Sequence, residues 1–424
     1  MTQGHARSWL TAAAVGLIFS AAAAADETGP PPLTIGRCLE ISLQNNPLWL
    51  SAEQDYQASL ARVRQAREIP QPSLEFDSDL QPRLFDFRGS GESYLGLSQT
   101  LELPGRRALR GRIASLESRE VLADRDLLRL EIVFQVKEAF YAVLLADEKR
   151  KYAAQDLELA RDFLDKAAAK FEAGDVARVE VVRAGVEASK AATAVKLAET
   201  DTLLAKSRLN YLLGRAKMEP LALRGELVRP PLPIDPDDLV RRAVRARPEA
   251  ERARAGMAKE EKRKTEAALS YLPDIDLGLS RHRIEGQATT WDLTLSVPVP
   301  LFFWQPARGR MAEAKANLLA LRRRAEDLAN RIALEVQEAS LNARAAEEQI
   351  AVFQKDILVR AEESYELIGF SFQEGEIGGI ELIDARRTLL ELRKAYADAL
   401  YGYRITLAAL ERSVGEPLEG DDHD

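Results

Sequence analysis

Phe171-Glu172-Ala173-Gly174-Asp175-Val176 returns as Phe372-Gln373-Glu374-Gly375-Glu376-Ile377, so the chain matches itself at a separation of about two hundred residues. The match is distributed. Asn46-Pro47 lies opposite Arg247-Pro248, Leu97-Ser98 opposite Leu295-Ser296, and Gly111-Arg112-Ile113-Ala114 opposite Gly309-Arg310-Met311-Ala312. Leu209 and Gly214 lie opposite Leu410 and Gly415. Chance can make one such pairing, but a series in the same order at nearly constant offset means a duplication. The two repeats cover 26–217 and 237–415 and meet at 218–236, where Pro220, Pro230, Pro231, Pro233 and Pro236 forbid continuous helix.

Each repeat reads as a helix, two strands and two long helices. In the first, apolar positions Leu39, Leu43, Leu50, Leu60 and Val63 recur at roughly helical spacing from Gly36 to Glu68, and Pro70 and Pro72 end that helix. The period then falls to 2. Leu74, Phe76 and Leu80 alternate with Glu75, Asp77 and Asp79, and Leu95, Leu97, Leu101 and Leu103 share one parity, predicting strands over 73–80 and 94–103. The second repeat predicts strands over 274–281 and 291–301, with a turn around Gly286 and Trp291, Leu293, Leu295, Val297, Val299 and Leu301 on one face. Trp291, Phe302, Phe303 and Trp304 crowd the ends of the last strand, as expected where a strand crosses a bilayer interface or meets a helical section. Proline closes each hairpin, at Pro104 and Pro306, and long helices follow over 105–171 and 175–214, then 307–371 and 376–414. A helix of roughly 65 residues spans on the order of 100 Å, far beyond the needs of a compact domain.

The first residues set the compartment. Arg7 precedes an apolar run from Trp9 to Ala25, with Ala23 and Ala25 at A-x-A spacing, so 1–25 reads as a secretory signal peptide. No later segment is long and apolar enough for a spanning helix. Entry into a membrane would therefore require strands closed into a barrel. Cys38 is the single cysteine and has no partner for a disulfide; it reads as a small apolar residue on a helix face. With three histidines in all and one of them, His5, inside the signal peptide, a resident metal centre is nearly excluded and no cofactor is expected. A formal net charge of −8, with both signs interspersed, argues against nucleic acid. The end of the chain, 416–424, reads as an acidic tail.

Four strands cannot close a membrane barrel, because the smallest need about eight. Several copies must contribute, and their long antiparallel helices can then pack as coiled coils into a tube. The fold class is mainly α with a small membrane β-barrel, four strands per subunit.

At this point the chain resembles the TolC family of outer-membrane efflux ducts over essentially its whole mature length. The resemblance is carried by Leu33-Thr34-Ile35 leading into Asn45-Asn46-Pro47, by the Phe171 to Ala184 turn and by the Phe372 to Ala385 turn. The short linker, short tail and Glu102-Leu103-Pro104-Gly105-Arg106 resemble the heavy-metal, CzcC-like branch. The resemblance implies a homotrimer whose twelve-stranded barrel sits in outer-membrane lipid and whose helical barrel crosses the periplasm. It also implies docking to a periplasmic adaptor (membrane fusion protein) and an inner-membrane pump of the RND type, and a role in metal resistance. No cysteine stands at the cleavage site, so the barrel alone would anchor the protein.

Glu381 and Asp384, three apart and on one helix face, fall where the resemblance places the narrow periplasmic end of the duct. Acidic rings there favour cations and can hold a closed tip. The matching positions of the first repeat are Glu180 and Arg183, so the tips differ chemically. The bland alternative is a pair of solvated helix carboxylates. Phe171, Gly174 and Val176, with Phe372, Gly375 and Ile377, form turns suited to adaptor docking, and their glycines also serve simply as helix C-caps. His282, between Arg281 and Arg283, is expected in a solvated loop at a hairpin tip. Two other classes compete with this one. A secreted coiled-coil structural or adaptor protein explains the helices but not the matched hairpins. An exported hydrolase lacks any nucleophile, base or metal constellation.

Overall fold

The computed structural model describes residues 32–79, 91–232, 235–299 and 304–418. The expected signal peptide at 1–25, Leu80, Leu301, Phe302, Phe303 and residues 419–424 lie outside the described residues.

The first repeat opens with two helices, α1 (Ile35–Asn45) and α2 (Pro47–Gln65), rather than the continuous helix expected from Gly36 to Glu68. The break is chemical. Pro47 has no N–H to continue a helix but is well placed at a helix start. Asn46 caps α2 by accepting from the Leu48 N–H at 2.9 Å. Strands β1 (Ser73–Asp79) and β2 (Glu92–Leu101) follow, then α3 (Arg106–Ala173) and α4 (Arg178–Leu212). The second repeat copies the plan with α5 (Pro236–Ala246), α6 (Pro248–Leu269), β3 (Ile275–Ile284), β4 (Thr290–Ser296), α7 (Trp304–Val352), α8 (Leu358–Gln373) and α9 (Gly379–Val414). A π-helical turn, Phe353–Ile357, joins α7 to α8, so the second long helix carries an irregularity that its sequence periodicity did not announce.

Helix α3 has 68 residues, about 100 Å of rod at 1.5 Å per residue. Such a rod is stable only through its neighbours. α4 packs on α3, α3 on α9, and α9 on α7 and α8, while α6 lies against both α3 and α7. The helices thus form a layer with α4 at one flank and α7–α8 at the other. Its largest apolar core gathers Cys38, Val136, Phe140, Leu209 and Leu213 where α1 meets α3 and α4. Burial there pushes the Cys38 thiol up to about 12, against a smaller opposing pull from Arg215, which keeps it an inert apolar residue.

The proline-rich connection is a packed strap. Leu33 bridges to the strap around Leu223: its N–H donates to Ala222 O at 2.9 Å, and its carbonyl accepts from the Arg224 N–H at 3.0 Å. Leu221 is buried in the core, and the Tyr403 hydroxyl donates to Pro230 O at 2.6 Å. The duplicated joint beside it depends on glycine. Gly214 has φ +68 and lies so close to Asn45 that an added Cβ would stand 2.6 Å from its carbonyl oxygen. Gly415, φ +87, makes a looser approach in the other repeat, where an added Cβ would stand 3.1 Å from Arg247 Cγ and 3.3 Å from its Cα.

All four strands join one antiparallel sheet in the order β1-β2-β3-β4. The central pairing, β2 with β3, unites the two repeats, with Leu97 opposite Leu279 and Leu95 opposite Arg281. Observed strand limits shift by a few residues from those expected, as end residues follow the pairing partner rather than the alternation.

Candidate functional site: the amphipathic sheet and the hairpin tips

Register turns the alternation of each strand into a two-faced sheet. Leu74, Leu97, Leu279 and Leu293 form one continuous cross-strand row. Phe76, Leu95, Arg281 and Trp291 form the next, and all the large apolar residues in both rows are exposed in the single chain. The opposite face carries Glu75, Gly96, Ser280 and Asp292 in one row and Ser73, Ser98, Gly278 and Thr294 in another. An apolar face left open to the surroundings, backed by a polar face, matches a sheet with lipid outside and water inside. No helix among the described residues is long and apolar enough to cross a membrane.

Trp291 stands exposed at an end of β4, where the sequence placed it. Trp304 does not end a strand. It opens α7, with Pro306 in the first turn of that helix, a position proline tolerates. His282 is also corrected: it lies within β3, paired with Tyr94 and Thr290, and its Nε2 is 2.6 Å from Glu92 Oε1. The strand simply extends further toward Gly286 than its alternation suggested. Ionic contacts pin the sheet to the helices. Arg106 bonds Asp274 at 2.7 Å, the Leu103 N–H donates to the same carboxylate at 3.0 Å, and Arg110 holds Glu102.

At the far end of the helices the two repeated motifs make closely similar turns. Gly174 has φ +88 and Gly375 φ +81. Asp175 N reaches Lys170 O at 2.9 Å and Glu376 N reaches Ser371 O at 2.9 Å, the closure of a helix that ends in a left-handed glycine. The apolar residues that flank them do not behave alike. Phe372 is only 6% exposed, against the Phe163 ring at a centroid distance of 5.5 Å and beneath the Lys170 ammonium. Its duplicate Phe171 is 43% exposed. Ile377 joins the Phe372 cluster, with Ala184 and Ile383, while Val176 is half-buried.

Glu381 sits in the first turn of α9 and Asp384 one turn further, both exposed. The nearest cation to Asp384 is Arg387 at 4.0 Å. Two residues beyond Asp384, Arg386 is buried and bridges Asp156 of α3 at 3.2 Å and Glu187 of α4 at 3.4 Å. It also donates to Asp156 O at 3.1 Å. Burial raises the Asp156 pKa against the opposing pull of Arg386 and Lys394. The hydrogen bond from Lys190 lowers that of Glu187 despite partial burial. Sequence reading missed this clamp, and a second one between Lys137 and Glu411 at 2.6 Å. Their partners are remote in sequence, and the only trace is a charged residue at an otherwise apolar helix position. Among the described residues no group of three or more His, Cys, Asp or Glu side chains could hold a metal ion.

A family model described as outer membrane efflux protein matches residues 38–215 and again 239–416. The cobalt-zinc-cadmium resistance protein CzcC of Cupriavidus metallidurans is 25% identical over 394 residues, covering 91% of this chain and 90% of that one. Among solved structures, the outer-membrane channel OprN superposes with a TM-score of 0.74 at 22% identity, over 90% of this chain and 89% of that one. The Neisseria gonorrhoeae MtrE outer membrane channel, solved in its open state, gives 0.71 at 19% identity over 92% and 91%. Channels of this family work as trimers in tripartite pumps. Matched in both halves and alike in fold from end to end, the chain belongs to the outer membrane efflux protein family, the TolC-type channels: it is a non-enzymatic outer-membrane channel subunit with a periplasmic helical extension.

Proposed function

We propose that three copies of this chain close a twelve-stranded barrel and form the exit duct of a pump that expels heavy-metal cations. The observation that carries the assembly is the four-stranded sheet itself. It ends at β1 and β4 with no further strand beside either among the described residues, and open strand edges are not tolerated in lipid. β4 of one copy against β1 of the next removes them. Metal cargo is supported by the 25% identity with the cobalt-zinc-cadmium resistance protein. The partners would be a periplasmic adaptor and an inner-membrane pump of the RND type.

In this reading Glu381 and Asp384 line the narrow end of the duct, where paired carboxylates from each copy favour cations. Their exposure on one face of α9 supports that role. Adaptor docking falls to the turns at Gly174 and Gly375, with Phe171 as the outward aromatic and Val176 partly accessible. Phe372 and Ile377 would act indirectly, by holding the second turn in place. Trp291 would anchor the barrel at a bilayer interface; Phe302, Phe303 and Trp304 would mark its junction with the helices.

Membrane fractionation followed by the native mass of the detergent-extracted protein tests the assembly. A trimer in the outer-membrane fraction is the expected result, and a periplasmic monomer would return the coiled-coil reading. Cargo is tested by deleting the gene: tolerance to cobalt, zinc and cadmium should fall, and unchanged tolerance to all of them would remove the metal assignment.

A further inference from the structure

The sheet sorts its charges by face. Within the described strands, every carboxylate lies on the polar face: Glu75, Asp77 and Asp79 of β1, Glu92 of β2, Asp276 of β3 and Asp292 of β4. His282 joins them there, with its Nε2 2.6 Å from Glu92 Oε1. The charged residues of the apolar face are Arg281 and Arg283. Strand alternation splits Arg281-His282-Arg283 in this way, turning the imidazole to one side and both guanidiniums to the other. Both arginines are exposed, and no ion pair joins either of them to a carboxylate among the described residues.

Topology fixes their height. β1 follows α2, β2 leads into α3, β3 follows α6 and β4 leads into α7, so every connection to the helices leaves one end of the sheet. Arg281 and Arg283 lie toward the other end, which faces away from the periplasm. Behind them on β3 the apolar face is unbroken through Ile275, Leu277 and Leu279. Arg281 shares its cross-strand row with Phe76, Leu95 and Trp291, and Arg283 shares the next with Ser78 and Ser93. The apolar band ends at these rows. Trp291, directly opposite Arg281, marks the same depth, since tryptophan favours the headgroup level of a bilayer. An outward arginine there costs about 0 to 1 kcal/mol, against about 2 to 4 kcal/mol at the midplane.

We propose that Arg281 and Arg283 form a site on the outer wall of the barrel for the phosphate groups of the outer-leaflet glycolipid, the phosphorylated lipid A headgroup of lipopolysaccharide. Guanidinium matches phosphate oxygens in a bidentate fork. Two residues apart on one strand face, the arginines start about 7 Å from each other and can converge on one headgroup. The Ser93 side chain, in the position opposite Arg283, adds a hydroxyl on the same face. The strand carboxylates that would repel a phosphate stand behind the sheet, and Glu285 falls in the turn beyond the strand. The exposed apolar wall beside the arginines selects an acylated phosphate over a free one: acyl chains lie along Leu279, Leu293 and Trp291 while the headgroup meets the cations.

This inference rests on the barrel reading, and the experiment separates the two. A detergent-extracted wild type that is monomeric overturns both. On the trimer, native mass spectrometry in a neutral detergent compares lipid A carrying its phosphates with the same lipid after dephosphorylation. Wild type should bind the phosphorylated form at least about tenfold more tightly, the scale of one hydrogen bond to a charged group. Equal binding of the two forms overturns the site without recourse to a variant. Arg281→Gln with Arg283→Gln should remain trimeric and lose the preference, with binding of the dephosphorylated lipid unchanged. Arg283→Gln alone, in the row beyond the apolar band, should already weaken it. Variants that keep the wild-type preference overturn the assignment of these arginines. Phosphatidylglycerol bound as tightly as phosphorylated lipid A would overturn the assignment to glycolipid.

Discussion

Arg386 shows how much one side chain can decide in a helical tube. It is buried between two carboxylates from different helices, and removing one member of a buried ionic cluster leaves the rest unpaired. Arg386→Leu should cost about 3 to 5 kcal/mol of stability, read as a lower thermal midpoint of the detergent-extracted protein. A midpoint unchanged from wild type would mean that water already reaches the cluster. The carboxylates also set an acid response. Asp156, raised from its ordinary value of 3.8, holds its proton more tightly folded than unfolded, so its contribution improves as pH falls through the raised value. Glu187, lowered from 4.5, contributes stability above that value that is lost as pH falls through the lowered one. The two oppose each other across the carboxylate range. Asp156→Asn breaks the ion pair with Arg386, which lowers stability at every pH, and it also removes the favourable acid-side contribution, so relative to its own neutral-pH value the variant should lose stability more steeply on acidification than wild type. Thermal midpoints measured from neutral pH downward check this, and a flatter profile would contradict it.

At the scale of elements, the sheet and the long helices solve different problems with the same duplication. A strand period of 2 gives each strand two faces, but only register places Leu74, Leu97, Leu279 and Leu293 side by side. A lipid-facing row should resist charge. Leu279→Arg is expected to cost about 2 to 4 kcal/mol if the row lies near the bilayer midplane, while Thr294→Lys on the polar face should be well tolerated. Yield of folded protein in the outer membrane distinguishes them, and equal tolerance would remove the assignment of faces. In the helices, the matched glycine turns recur because the left-handed geometry at Gly174 and Gly375 excludes most side chains. The aromatics beside them diverge because one hairpin is covered within the chain and the other is not.

On the scale of the whole molecule, the tip is acidic on the second repeat and mixed on the first. If Glu381 and Asp384 line the duct, Glu381→Ala with Asp384→Ala should raise conductance or weaken cation preference in bilayers. Conductance and selectivity both unchanged would place those residues outside the bore. The membrane end and the periplasmic end are coupled by rods about 100 Å long, and the π-helical turn at Phe353–Ile357 is the described interruption of the second.

The sequence by itself determined the duplication, the element order, the hairpin glycines and the need for several copies, because periodicity, proline and glycine act locally and four strands are too few for a barrel. Cys38 as a small apolar residue on a helix face was legible from the sequence, and its burial was decided by the packing of α1 on α3 and α4. Only the tertiary structure decided that β2 pairs with β3, that His282 lies within a strand, that the proline-rich connection packs as a strap, and which of the two duplicate phenylalanines is covered. It also brought Arg386 to Asp156 and Glu187, and Lys137 to Glu411. Those partners lie on helices that run side by side but are far apart along the chain, and no local pattern of residues records which rod will lie against which.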